Sequence, residues 1–302
     1  MKLISALKLI DPRKENLHLV TEEEKNALQK TLFEMMQDIS EICEENHIKW
    51  SLSGGSVLGA VRHHGFIPWD DDMDINMTRA EFERFRRVFP GKYKDKYQLR
   101  IPGDKGYLFH SPIILKKGTT FRGLMSTEED INGVFIDIFL IENVSDNPLV
   151  YMLHGAECIV VYALQSMVRT YRCRRTLLEH TKHYPEVQRS IKIRSSVGRI
   201  LSILPVEFWG RKVFKAYSRI KNNKTKRVSI PSGCNHYFGE TYDRDKVSQY
   251  KLCQFESDAF PIPRDPDYYL SKLYGDTYMT PPPEKDRMNH VVIDFDLGES
   301  AR

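Results

Sequence analysis

The stretch "SGGSVLGAVRHHGFIPWDDDMDIN", residues 53–76, packs Asp70, Asp71, Asp72 and Asp74 into five positions. Ile67, Trp69, Met73 and Ile75 sit among them, and solvated acidic runs lack such apolar interleaving. In a strand, residues i and i+2 share a face. Asp72 and Asp74 are therefore expected to project together, roughly 7 Å apart by the rise of a strand, with Met73 and Ile75 turned to the core. Two ionised carboxylates held this way repel each other, and folding alone would tend to remove or protonate one. A divalent cation resolves the conflict, because hard oxygen ligands suit Mg²⁺ or Mn²⁺. Asp137, in "FIDIF", has the same apolar flanking and could be brought alongside on a neighbouring strand. Carboxylates clamping metal ions are a recurrent device for in-line displacement at phosphorus.

The turn Gly54-Gly55-Ser56 offers the complementary half. Glycine lets backbone approach a phosphate closely, and Ser56 is expected to open a helix whose first N–H groups favour an anion. Arg62, about two turns on, is placed to reach a phosphate oxygen. Ser56 acting only as a helix cap is the plainer alternative. Other motif readings fail. Gly54-Gly55-x-x-x-Gly59 is neither a dinucleotide fingerprint nor a P-loop. Asp70, Asp72, Asp74 and Glu81 fit an EF-hand at four ligand positions, but Ile75 stands where that loop requires Gly.

The elements that must position these residues follow from periodicity. Thr21 with Glu24 is a capping-box pattern. Leu28, Leu32, Met35, Ile39, Ile42 and Cys43 then recur at helical spacing, which predicts a helix over 21–46. A strand over 48–52, a helix over 56–63, a strand near 73–77, a helix over 79–89 and a buried strand over 133–141 follow. Residues 148–227 read as mainly helical, broken at Pro185 and Pro205. The apolar run 148–168 reads as a buried helix, with a position near a membrane surface as a second expectation. These features predict an α+β chain in four parts: a 1–20 extension, a 21–147 core, a helical basic 148–227 section, and a 228–302 section richer in Pro, Gly and Tyr.

The chain has 302 residues and a net charge of +4. Its charge is uneven: residues 169–227 hold 17 Lys/Arg against three Asp/Glu, so the remainder is net acidic. Such a block suits nucleotides, phosphorylated polymers or an anionic membrane surface, or is simply a solvated helical face. Five widely spaced cysteines without C-x-x-C point to reduced thiols in the cytoplasm. Cys234, His236 and Cys253 lack the close pairing of a zinc site. The opening segment, interrupted by Lys8, Asp11 and Pro12, is not a secretory signal.

Residues 51–75 strongly resemble the LicD family of phosphotransferases, whose relatives include the fukutin-related ribitol-phosphate transferases. "GVFIDIFLIE" resembles that family's third-acid strand, and residues 269–290, "YLSKLYGDTYMTPPPEKDRMNH", its C-terminal signature. The resemblance implies a nucleotidyltransferase-like mixed sheet flanked by helices. It implies metal binding and catalysis by Asp72, Asp74 and Asp137, and nucleotide phosphates at Gly54, Gly55 and Ser56. Arg62 and Trp69 stand at family positions, and Asp70 and Asp71 are expected to shape the turn. Tyr274, Gly275 and Asp276 with Pro281–Pro283 are expected to close over the site or to act as tight turns. The implied reaction moves phosphocholine or a similar phospho-alcohol from CDP-choline, or another CDP-alcohol, to a glycan hydroxyl with Mg²⁺ or Mn²⁺ and releases CMP.

A lipid-linked glycan acceptor would place the enzyme in the cytoplasm, with Arg169, Arg172, Arg174, Arg175 and the 221–227 cluster near an anionic inner leaflet. Two rival readings stand beside this one. The first is nucleotidyl transfer from an NTP to a small-molecule hydroxyl, which would release pyrophosphate. The second is a basic nucleic-acid-binding or regulatory protein. The second lacks a recognition motif, and its acidic site would repel phosphates without metal, so no nucleic-acid partner is expected.

Overall fold

The computed structural model describes residues 3–7, 10–127, 133–284, 287 and 291–298. Residues 285, 286 and 288–290 of the C-terminal signature lie outside the described residues. A short helix α1 (Leu3–Leu7) precedes the long α2 (Glu22–Glu45). The expected capping box closes α2: the Thr21 hydroxyl accepts from Glu24 N–H, and the Glu24 carboxylate accepts from Thr21 N–H. The apolar stripe of α2 is buried as its spacing predicted.

Next come β1 (Ser51–Leu52), α3 (Gly54–His63), β2 (Asp74–Thr78) and α4 (Arg79–Tyr93). Strands β3 (Tyr97–Arg100), β4 (Ile113–Lys116), β5 (Thr120–Gly123) and β6 (Phe135–Asn143) follow. The helical section is α5 (Pro148–Arg172), α6 (Arg174–Glu179), α7 (Pro185–Leu201) and α8 (Val206–Tyr217). The last part holds β7 (Arg227–Ser229), α9 (His236–Gly239), β8 (Thr241–Asp243), α10 (Arg244–Val247), β9 (Tyr250–Phe255), β10 (Asp258–Pro263), α11 (Pro266–Tyr274) and β11 (Val292–Asp296).

The main sheet runs β1-β2-β6-β4-β3, with β7 added to β6 and β8 to β7. It is mixed: β2 and β6 are parallel, and every other pair is antiparallel. The chain is α+β, as expected. Strand β6 is central. Its first half pairs with β4, and its last residues, Glu142 and Asn143, pair with Ser229 and Val228 of β7. The 228–302 section therefore extends the sheet that the 21–147 section begins. Two small antiparallel pairs, β9–β10 and β5–β11, complete the strands.

The main core lies between α2, α3, α4 and this sheet, with Met35, Ile39, Ile75, Phe82, Phe85 and Ile138 fully buried. Each such side chain is worth about 1.5–3 kcal/mol on burial. A second apolar cluster joins α1, α5, α6, α7 and α8 through Val168, Leu177, Ile191 and Trp209.

Several expectations shift. The 48–52 strand pairs only at Ser51 and Leu52, because it is an edge strand that meets β2 over two residues. Helix α3 begins at Gly54 rather than Ser56, with Ser53 at its N-cap. Helix α5 is not a buried helix: only 28% of its most apolar 18-residue window is buried. Arg169 does not face outward. It is buried, with its guanidinium 3.8 Å from the Phe109 ring centre and its Nε donating to Met125 O.

Candidate active site

The acidic residues and the glycine turn meet at the start of β2. Asp74 opens that strand and is the register partner of Asp137 in the parallel β6. Register partners in a pleated pair leave the same face, so the two carboxylates share one side of the sheet. Asp72 lies two residues ahead of Asp74, before β2 begins. Alternation still holds from 71 to 75: Asp71, Met73 and Ile75 are buried, and Asp72 and Asp74 are half-buried. The chain is brought in from a turn in which Asp70 N–H donates to Ile67 O and Gln29 Nε2 donates to Asp70 O.

Two hydrogen bonds fasten the glycine turn to this strand. Ser53 N–H donates to Asp74 O at 2.9 Å, and Asp74 N–H donates to Ser56 Oγ at 3.0 Å. Ser56 is thus a buried brace between α3 and β2 rather than a helix cap, with its own hydroxyl proton still to donate. Gly54 adopts a positive φ of 49°, a conformation that favours glycine. The glycines are bare because acids lie against them. A Cβ on Gly54 would sit 3.3 Å from Asp74 Oδ2, and one on Gly55 would sit 2.9 Å from Asp70 Oδ2.

The C-terminal part reaches the same turn. The Tyr269 hydroxyl accepts Gly54 N–H at 3.0 Å and bonds Ser53 Oγ at 3.2 Å. Gly54 N–H is therefore committed within the protein, and the next amide of the turn belongs to Gly55. The Tyr274 ring leaves 44% of the residue exposed, but its hydroxyl end comes within 3.6 Å of where a Gly54 Cβ would be. Burial of that end, then the neighbouring Tyr269, Cys234, Asp74 and Asp70, push its phenol well above the ordinary value. Gly275, positive in φ, ends α11 immediately after it.

Arg62 stands at the rim beside Asp70 and Tyr274. Its Nε donates to His63 Nε2 at 2.9 Å and its Nη1 to Tyr278 O at 2.7 Å. Its charge is near the acids, and part of its donor set already ties α3 to the C-terminal segment. Trp69 lies below two cations, with Arg287 4.2 Å and Arg62 5.9 Å from its ring centre.

The donor set fits a hard divalent cation. Among the described residues, one carboxylate oxygen from each of Asp70, Asp71 and Asp72 falls within 4.8 Å of the others, while Asp74 and Asp137, register partners on β2 and β6, are not part of that group. All are oxygen ligands, and half-buried carboxylates at this density need a counter-charge. Asp137 is further fixed by Ser111, whose hydroxyl donates to Oδ1 at 3.0 Å.

Residues 47–155 match the family model described as LicD/FKTN/FKRP, nucleotidyltransferase domain, a span that holds the glycine turn and all five aspartates. Residues 47–155 thus carry a LicD-type nucleotidyltransferase domain. A lipopolysaccharide cholinephosphotransferase from Haemophilus influenzae is 24% identical over 265 residues, covering 83% of this chain and 89% of that protein. An uncharacterised protein of Rickettsia typhi is 42% identical over 67 residues, 22% of this chain and 21% of its own. One from Rickettsia prowazekii is 38% identical over 60 residues, 20% of this chain and 23% of its own. LicD proteins are transferases, and this chain is an enzyme of that kind.

Ser53, Ser111 and the bond of Tyr269 to the glycine turn are not foreseen from the sequence. Ser111 stands 26 positions from Asp137 and Tyr269 stands 215 from Gly54, so no local pattern marks them. Tyr269 does fall in the C-terminal signature, which was the available signal.

Proposed function

We propose that this enzyme transfers phosphocholine, or a similar phospho-alcohol, from a CDP-alcohol to a hydroxyl of a cell-surface glycan and releases CMP. The observation that carries the reading is the pairing of Asp74 with Asp137 across parallel strands, directly beside a glycine turn. A likeness along most of the chain to a lipopolysaccharide cholinephosphotransferase supports the group transferred and the type of acceptor.

Asp72, Asp74 and Asp137 would hold Mg²⁺ or Mn²⁺, which when bound supplies positive charge to the donor diphosphate. The protein's own residues do the rest. The Gly54-Gly55-Ser56 turn would meet the diphosphate with the acids packed against its glycines, so that a cation held by them lies between the two, and Arg62 adds a positive charge at the rim. The acceptor oxygen attacks the phosphorus that bears the alcohol. A new P–O bond forms as the bond to CMP breaks, and CMP leaves with the bridging oxygen. The acceptor proton passes to Asp137, whose orientation Ser111 fixes. Positioning and charge neutralisation carry most of the acceleration in phosphoryl transfers.

The released product tests the reading. Purified enzyme with CDP-choline, Mg²⁺ and lipopolysaccharide should liberate CMP and incorporate choline into the glycan. Pyrophosphate released from CTP instead would make it a nucleotidyltransferase.

A further inference from the structure

The helical section carries an outer surface that the transfer reaction does not use. On α5, Leu149, Met152, Leu153, Ile159 and Val160 are exposed, at 68%, 56%, 64%, 39% and 55%. Their spacing of three and four places them on one face of the helix. On α7, Ile193, Val197 and Ile200 repeat the pattern, and Ile203 and Leu204 continue it past the helix end, with Ile203 84% exposed. The two helices cross closely. A Cβ on Gly198 of α7 would lie 2.1 Å from Met167 O of α5, and Arg194 Nη2 donates to Ser166 Oγ at 2.7 Å. Isolated exposed aliphatics are ordinary, but two aligned rows on crossing helices are not.

Helix α5 is long and apolar enough to cross a membrane by length and composition. Its inner face argues otherwise. His154 bonds Tyr237 and Ala216 O, Gln165 donates to Leu108 O, and Arg169 donates to Met125 O. Those polar side chains bond to the rest of the fold, so the helix lies on the protein body with one apolar face outward.

Charge selects what that face meets. Arg189, Lys192 and Arg199 are exposed on α7 and form a row beside its apolar one. Arg219, 54% exposed, pairs with Glu157 on the flank of α5, and Arg227 lies over Tyr151. The exposed acid of α7 is Glu186, at its start. An apolar stripe bordered by Lys and Arg is the pattern of helices that lie in a membrane interface, and each such cation gains from anionic headgroups.

We propose that the outer faces of α5 and α7 form a docking surface for an anionic lipid bilayer, with the aliphatic rows entering the headgroup boundary and the α7 basic row lying on the phosphates. The surface is one layer from the acidic site. Segment 107–111 is held by Gln165 and Arg169 of α5 at Leu108 and Phe109, and ends at Ser111 on Asp137. The proposal stands on the exposed rows and not on the identity of the transferred group.

The test is co-sedimentation of the full chain with vesicles of phosphatidylcholine, with and without 30% phosphatidylglycerol. Tight binding is expected only with the anionic lipid. The triple variant R189Q/K192Q/R199Q should weaken it roughly 100-fold, and I193S/I200S/I203S should abolish it. Both variants should keep the wild-type circular dichroism and nucleotide binding in solution. Equal binding to neutral vesicles, no binding to either, or binding unchanged in both variants would overturn the proposal. So would a dimer in sedimentation velocity that I193S/I200S/I203S dissolves, because the rows would then be a subunit interface. Loss of CMP release with vesicle binding intact would count against the transfer reading alone.

Discussion

At Asp137 the Ser111 hydroxyl holds one carboxylate oxygen, and this small contact separates two roles for the acid. If Asp137 accepts the acceptor proton, Asp137→Asn should abolish turnover while calorimetric nucleotide binding survives. Equal loss of both would make it a metal ligand only. Ser111→Ala should lower kcat by about 10-fold, the worth of one hydrogen bond to a charged group, with the nucleotide Kd unchanged. Glu240 gives a separate prediction. Burial pushes its carboxyl up from the usual 4.5 to about 7, against the lowering effect of Asn235 N–H and Cys234. The fold therefore favours the neutral acid. That stabilisation is complete below about pH 4.5 and is lost as pH rises to about 7, roughly 3 kcal/mol in all. Urea unfolding of wild type against Glu240→Gln, followed across this range, should show wild type falling relative to the variant by that amount. Parallel curves would refute it. The aspartates, the glycine turn and Arg62 could be read in the sequence because they lie within one short stretch plus one strand. Ser111, Tyr269 and Glu240 could not, because their partners or burial are set by distant chain.

Among the elements, the β2–α4 junction depends on one buried ion pair. Arg79, the first residue of α4, bonds Glu142 of β6 through Nε at 3.0 Å and lies 3.8 Å from the Phe214 ring centre. Glu142 is 1% exposed, and burial raises its carboxyl more than Arg79 lowers it. Arg79→Met should destabilise the fold by about 3–5 kcal/mol by stranding that carboxylate, measured as a drop in chemical unfolding free energy. The double variant Arg79→Met/Glu142→Met should recover most of the loss. Helices α2 and α4 and strand β6 were readable from periodicity, since each buries a regular apolar row. Strand β1 and the start of α3 were misjudged by a few residues. Their limits are set by pairing with Asn76 and Ile75 and by the positive φ of Gly54, which periodicity does not encode. The exposed face of α5 was misread because a helix buried on one side and apolar on both looks like a core helix.

The molecule as a whole builds its site from chain segments far apart in sequence. The 54–74 turn supplies the glycines and acids, β6 supplies Asp137, and α11 closes on Gly54 through Tyr269. One apolar cluster lies under the sheet with its acidic rim and a second among helices α5 to α8, and Phe214 of α8 packs against the first. A mixed α+β chain was evident from element order, but the addition of β7 and β8 to β6 was not, because those strands are only three residues long. Tyr269→Phe should test the closure. Losing its hydrogen bonds to Gly54 N–H and Ser53 Oγ should cost about 2 kcal/mol of stability, and nucleotide affinity should fall if α11 holds the turn in its binding shape. The central claim is best tested by titration calorimetry of CDP-choline into the enzyme with Mg²⁺ and then with EDTA, beside CDP-ribitol and CTP. Binding is expected to require the metal and to prefer a CDP-alcohol. Binding of CTP alone, or binding unaffected by EDTA, would contradict it.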